Sequence, residues 1–291
     1  MRIDFRDEIA KNKRNSFFLM FTIFLVFILL AYVISMAFEP GYFFIIMIIG
    51  IVFSLSYILF SYYNSHKIAI KSVGAKKASR TRHKMFYDLV EGLTLASGLP
   101  MPELYVMPSQ QINAFASGRD PQNAVVCVTE GALNKLEKRE LEGVLAHELG
   151  HIGNYDMRYM TLATIMVGMI AIISEIFLRS LWFSSGDRDN NNNYIFIIIG
   201  IILAILAPIV VQLVQLSISR KREYSADATA VKFTRYPDGL IHALEKIKKD
   251  SPMKPKEANK AMQSLFFANP FSNLASTHPP IEKRITKLKS M

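Results

Sequence analysis

Two histidines four residues apart, His147 and His151, stand with Glu148 in the stretch VLAHELGHIGNYDM, residues 144–157. On a helix, positions i and i+4 share a face, so both imidazoles can turn a nitrogen toward one ion. The glutamate beside the first histidine can reach a water there without competing as a ligand. That division of labour defines the HExxH pattern: zinc makes water acidic and polarises a peptide carbonyl, while the glutamate takes a proton and later hands it to the leaving amine. Gly150 keeps the back of the same helix small enough for another element to pack closely. A third ligand is on offer in RKREYSAD, residues 220–227. There Glu223 could bind the ion while Asp227, four residues on, accepts a hydrogen bond from a ligand imidazole. The plainer alternative pairs Glu223 with Arg220 or Arg222 at a membrane surface; beside HExxH the ligand reading is preferred.

The elements that must position these residues are set largely by hydropathy. The chain has 291 residues, 51% of them hydrophobic, and a mean hydropathy of +0.22, too apolar for an ordinary soluble domain. Residues 17–38 and 42–63 each run about 22 residues without a charge, enough to span a bilayer as a helix. Glu39, Pro40 and Gly41 between them predict a hairpin with a short outer turn. Ser35 and Ala37 resemble a signal-peptide cleavage site, but the apolar run is too long for a signal core, so an uncleaved anchor is expected. Residues 159–178, apolar apart from Glu175, and 194–218, interrupted by Pro208, predict a second hairpin.

Charge orients these four spans. Arg2, Arg6, Lys11, Lys13 and Arg14 precede the first, and seven cations from Lys67 to Lys84 follow the second. Arg220, Lys221 and Arg222 follow the fourth, whereas the short outer turn is acidic. Both termini and the central region are therefore expected in the cytoplasm. The net charge of +10 collects at helix ends rather than in a basic–aromatic stripe, so the expected partner is anionic lipid and no nucleic acid. Because two spans separate His151 from Glu223, all three ligands come to the same side. The single cysteine, Cys127, excludes an intrachain disulfide and is expected to be a small core residue.

The rest of the chain, segments 64–156 and 219–291, is enough for one compact domain in two pieces around the second hairpin (157–218), after an N-terminal arm and hairpin (1–63). Helices are expected over residues 83–98, with Phe86, Leu89, Val90 and Leu93 as the apolar stripe and Gly98 as the cap, and over 131–152, 217–233, 236–249 and 281–291. Strands are expected at ELYVM, INAFASG and NAVVCVT, and a polar linker at DSPMKPKEANK. The layout is membrane α+β. If the helix of His151 runs on toward Tyr159, bending at most at Gly153, the ion lies about 10–15 Å from the membrane boundary.

Together HELGHIGNYD, REYSAD and the late THPPIEKR resemble the HtpX-type membrane metallopeptidases of the M48 group, which also holds the larger CAAX prenyl endopeptidases. The resemblance implies a gluzincin-type (zincin-like) zinc endopeptidase of a bacterial inner or plasma membrane. Its active site would face the cytosol and clip misfolded or damaged membrane proteins and unfolded polypeptides. It assigns one zinc to His147, His151 and Glu223, and the base to Glu148. It also suggests Asn113 in INAF as a contact for extended substrate, or an ordinary core strand residue. His278 is an oxyanion donor or a turn residue, and Arg284 orients substrate or a site carboxylate, or faces lipid. His66, His83 and His242 are read as surface or structural. Two rival functions remain: a scaffold or chaperone keeping a structural zinc, which has no use for Glu148, and a metal transporter using Glu175, which lacks charged partners in the membrane.

Overall fold

The computed structural model describes residues 5–35, 40–162, 220–250, 266–267 and 279–291. The predicted spans 159–178 and 194–218 fall outside these apart from residues 159–162, as do the 181–193 loop and His278.

Helix α1 (Phe5–Ser35) and helix α2 (Phe43–Tyr63) form the N-terminal hairpin. Helix α1 begins 12 residues before the expected residue 17, because the hydropathy signal marks only the charge-free stretch. Arg and Lys are good helix formers, and hydrogen bonding does not stop at the first charge. The helices meet through Leu19, Ile23 and Phe27, with Phe27 edge-on to Phe53 and Tyr57 at 5.3 Å. Elsewhere both helices present Phe17, Phe18, Phe44, Ile48 and Ile49 outward. A band of bare aromatic and branched side chains on two helices of spanning length is the signature of a lipid-facing surface.

Tyr62 and Tyr63 close α2. Arg158 donates to the Tyr62 hydroxyl and lies over its ring, and Arg119 lies over Tyr63 with its guanidinium carbon 4.6 Å from the ring centre. Tyrosines gripping cations at a helix end belong at a membrane–water boundary.

Beyond α2 come helix α3 (Ser65–Ser72), strand β1 (Lys76–Lys77), helix α4 (Lys84–Ser97) and strands β2 (Glu103–Met107), β3 (Ala114–Gly118) and β4 (Ala124–Thr129). The stripe of α4 is buried as its periodicity requires, and Gly98 at φ 72° ends the helix in the left-handed region that glycine tolerates. The sheet order is β1-β2-β4-β3. Strand β4 pairs parallel with β2 and antiparallel with β3, so β3 is an edge strand among the described residues. Strand β1, two residues long, has no hydrophobic alternation to announce it.

Thr129 caps helix α5 (Glu130–Lys135), accepting from Ala132 N–H, and a capping box of Glu137 and Glu140 opens helix α6 (Lys138–Gly153). Helix α6 is the axis of the domain. It is packed by α4, by the buried face of β3, by helix α7 (Arg220–Thr234) and by helix α8 (Pro237–Lys249). Helix α9 (Ile281–Leu288) closes the chain with Arg284 and Leu288 turned inward. The helix of His151 does not run on: it ends at Gly153, and Tyr155 takes φ 59° before a new helix opens at residue 156. That helix leans Tyr159 and Leu162 against α1.

Candidate metal centre

Two helices carry the centre because glycine lets them touch. A Cβ on Gly150 would stand 3.2 Å from Thr229 Cβ and 3.4 Å from the Ala226 backbone, so α7 lies directly against this side of α6. The close approach brings Glu223, one turn back on α7, to the histidine face. There, Nε2 of His147 and Nε2 of His151 are 3.1 Å apart. The Glu223 carboxylate presents Oε2 to the first and Oε1 to the second, each at 3.7 Å. All three side chains are buried, and one donor atom from each lies within 4.8 Å of the others. Among the described residues no other group of His, Cys, Asp and Glu converges in this way.

The other ring nitrogens fix the tautomers. His147 Nδ1 is 2.9 Å from Asp227 Oδ1 and 3.3 Å from Arg284 Nη2. It cannot donate to the first and accept from the second at once. The shorter contact to a carboxylate decides: Nδ1 carries the proton and Nε2 keeps its lone pair. His151 Nδ1 likewise faces Asp156 Oδ2 at 3.2 Å, which turns its Nε2 inward. The two Nε2 atoms, 3.1 Å apart, need a cation between them: the proton that His151 carries in the metal-free chain, or the ion that displaces it. A tetrahedral ion at 2.0–2.1 Å separates two nitrogens by about 3.3 Å, so the donor set fits zinc.

Glu148, 2% exposed, lies beside this pair and accepts a hydrogen bond from the Ala116 backbone N–H of β3. Burial, reinforced by the neighbouring Glu223 charge, pushes its carboxyl up to about 7. Burial pulls His147 down to about 4, with Arg284 adding to the shift. For His151 burial acts in the same sense, but the Asp156 hydrogen bond and the Glu223, Asp156 and Glu148 charges outweigh it and carry the ring to about 9. Burial opposes ionisation of Asp227 too; the Arg284 charge and the His147 bond overcome it and hold the carboxyl below its usual range.

Arg284 comes from the far end of the chain. It meets Asp227 in a two-pronged pair, Nε to Oδ2 at 3.0 Å and Nη2 to Oδ1 at 2.7 Å, and its Nη1 is 3.6 Å from Glu223. At 1% exposure it faces neither lipid nor open solvent. Phe267 lies between: its ring is 4.6 Å from the guanidinium and 4.8 Å from the His147 ring. Asn113 is buried just before β3, bonded through its backbone to Thr129 and through Oδ1 to Ala114 N–H. His66, His83 and His242 lie on α3, before α4 and on α8, apart from the converging group. Cys127 is buried in β4, and burial pushes its thiol up.

Two contributors are absent from the sequence reading. Asp156 lies past a helix break, where the i+4 rule that found Asp227 no longer operates. Asn12 touches it from 144 residues away, and no spacing rule reaches that far.

Residues 78–291 match peptidase family M48. A protein named Protease HtpX homolog from Dictyoglomus thermophilum is 43% identical over 292 residues, covering 99% of this chain and 95% of its own. Homologues of the same name from Caldanaerobacter subterraneus subsp. tengcongensis and Listeria monocytogenes are 44% and 38% identical, over 87% and 98% of this chain and 90% and 99% of theirs. Among solved structures, S. mikatae Ste24p superposes with a TM-score of 0.49 at 17% identity, over 97% of this chain and 66% of that one. A match that runs through both halves of the centre, with relatives called proteases over nearly their full length, leaves one assignment: the chain belongs to peptidase family M48, as a membrane metalloprotease.

Proposed function

We propose that this metalloprotease is a zinc endopeptidase that cleaves misfolded or damaged membrane proteins on the cytoplasmic side of a bacterial membrane. The observation that carries the reading is the convergence of the two Nε2 atoms and the Glu223 carboxylate beside a buried glutamate. His147, His151 and Glu223 hold the zinc, which supplies Lewis acidity toward water and the scissile carbonyl. Asp227 keeps His147 in the tautomer that binds, and Arg284 keeps Asp227 ionised and in place. Glu148 is the general base. With its carboxyl near 7 it can accept a proton from water at neutral pH and release it to the leaving amine. Ala116 N–H holds it in position. An extended substrate lies along the β3 edge near Asn113. The Ala114 carbonyl already accepts a 2.8 Å bond from Phe267 N–H, so substrate would pair with β3 beyond that position.

The direct test is digestion of an unfolded protein by the purified full chain. Cleavage should stop with a zinc chelator and return with added zinc. Glu223→Ala should retain little metal after dialysis. Asp227→Ala, which removes only the partner of His147, should weaken binding by about 10- to 100-fold. Full zinc occupancy in Glu223→Ala would place the third ligand elsewhere.

Zinc must displace a proton from His151, which stays protonated up to about 9. Each unit of pH below that value therefore costs roughly ten-fold in apparent affinity. Competition with a chromophoric chelator at pH 6.5, 7.5 and 8.5 should show affinity climbing with pH. A flat profile would mean that His151 is not the ligand that carries the proton.

The membrane arrangement is part of the proposal: four spans, both termini and a two-piece catalytic domain (64–156 and 219–291) in the cytoplasm, and the 181–193 loop outside. An impermeant thiol reagent on intact cells should label a cysteine placed at Asn191 and spare one at Lys77. The reverse pattern would invert the chain. Arg158, which follows His151 after the break, reaches Tyr62 at the end of α2, so the centre would stand near the boundary and meet extended segments next to a substrate's own membrane helix at high effective concentration.

A further inference from the structure

Behind His151 a chain of polar contacts leads to the membrane hairpin. Asp156 uses Oδ2 for the imidazole, and its other oxygen, Oδ1, accepts a 2.6 Å bond from Nδ2 of Asn12 on α1. The same nitrogen donates at 3.0 Å to the carbonyl of Asn154, in the turn that ends α6. On its other side the Asn12 amide oxygen faces Nη1 of Arg222 at 3.5 Å. Arg222 precedes Glu223 on α7, and its guanidinium lies 5.1 Å over the Tyr159 ring. One buried amide thus touches both halves of the centre, the segment that carries His151 and the helix that carries Glu223.

The residue type suits that place and few others would. Asparagine is a mediocre helix former, and burying its amide without partners is unfavourable. A leucine there would hold α1 to the domain by packing alone. Only a side chain with a donor and an acceptor on one planar group can serve a carboxylate on one side and a guanidinium on the other. By engaging Oδ1, Asn12 leaves Oδ2 as the oxygen turned to His151. That contact fixes the ring tautomer whose Nε2 is free for the ion.

We propose that Asn12 is a positioning residue of the metal centre, acting through Asp156 on His151, so that retention of the metal depends on how the first membrane helix is seated. This rests on the reading of His147, His151 and Glu223 as the ligands. The experiment uses the full chain in lipid nanodiscs and compares wild type, Asn12→Leu, Asp156→Ala, the double variant and Lys11→Ala, whose side chain is exposed one position earlier. Zinc loss to excess chelator gives a rate, and the visible spectrum of the cobalt form reports ligand geometry. Asp156→Ala should release zinc about 10- to 100-fold faster, and Asn12→Leu about 10-fold faster with an altered cobalt spectrum. Lys11→Ala should match wild type.

Because Asn12 acts through Asp156, the double variant should release zinc no faster than Asp156→Ala. Multiplying effects would make Asn12 an independent structural contact and overturn the proposal. So would an Asn12→Leu chain with wild-type release and an unchanged spectrum. If leucine prevents accumulation, Asn12→Ala, which only removes atoms, carries the same expected and overturning results. A wild-type chain that holds no zinc, or a Glu223→Ala chain that holds it fully, would instead overturn the ligand assignment and this inference with it.

Discussion

Glu148→Gln should keep its zinc and lose about 10²- to 10⁴-fold in peptide-bond hydrolysis, the range over which a positioned general base accelerates proton transfer. Glutamine has nearly the same shape, so the packing of this 2%-exposed side chain is preserved. Its amide oxygen can still accept from Ala116 N–H. None of the three converging donor atoms is touched, which is why metal content should not change. What disappears is the one group in the pocket whose carboxyl sits near 7, able to take up and give back a proton within one turnover. Metal analysis and cleavage of a fluorogenic unfolded substrate on the same preparation decide the matter. A metal-loaded variant cutting at near the wild-type rate would remove Glu148 from the mechanism.

Arg284→Met should cost about 3–5 kcal/mol of stability, the usual effect of breaking a buried ion pair by deleting one partner. Methionine fills most of the volume beside Phe267 but leaves Asp227, 1% exposed, without its two-pronged cation and with only a neutral His147 ring donating to it among these partners. Against a typical total of roughly 5–15 kcal/mol, such a loss is large. Arg284→Lys should not rescue it fully, because an ammonium cannot reproduce the planar fork at 2.7 and 3.0 Å. Adding Asp227→Leu to Arg284→Met should return part of the stability, since no buried charge is then left alone, while metal retention stays poor. Chemical denaturation of the metal-free chains measures this. An Arg284→Met chain as stable as wild type would mean that water, not the arginine, satisfies Asp227.

Local periodicity made much of the site legible. The i, i+4 pairs His147–His151 and Glu223–Asp227 each lie within one helix, where spacing alone fixes which side chains share a face. The stripe of α4 and the cores of β2 and β4 were legible for the same reason: burial repeats with the period of the element. What failed lay where that period breaks. Asp156 follows the turn at Tyr155, β1 is too short to alternate, and the start of α1 depends on hydrogen bonding that hydropathy does not register.

Hydropathy and helical spacing set out the groups on offer: two imidazoles with a glutamate beside the first, a second pair of carboxylates one turn apart, and two charge-free stretches long enough for a bilayer. Those are properties of single helices. What stands behind each of these groups was settled by packing between elements. Gly150 sets how closely α7 approaches α6, Arg284 arrives from the last helix to hold Asp227, and Asn12 reaches Asp156 from the first. Contacts between elements far apart in the chain depend on how several faces pack at once, and no spacing within one segment encodes them.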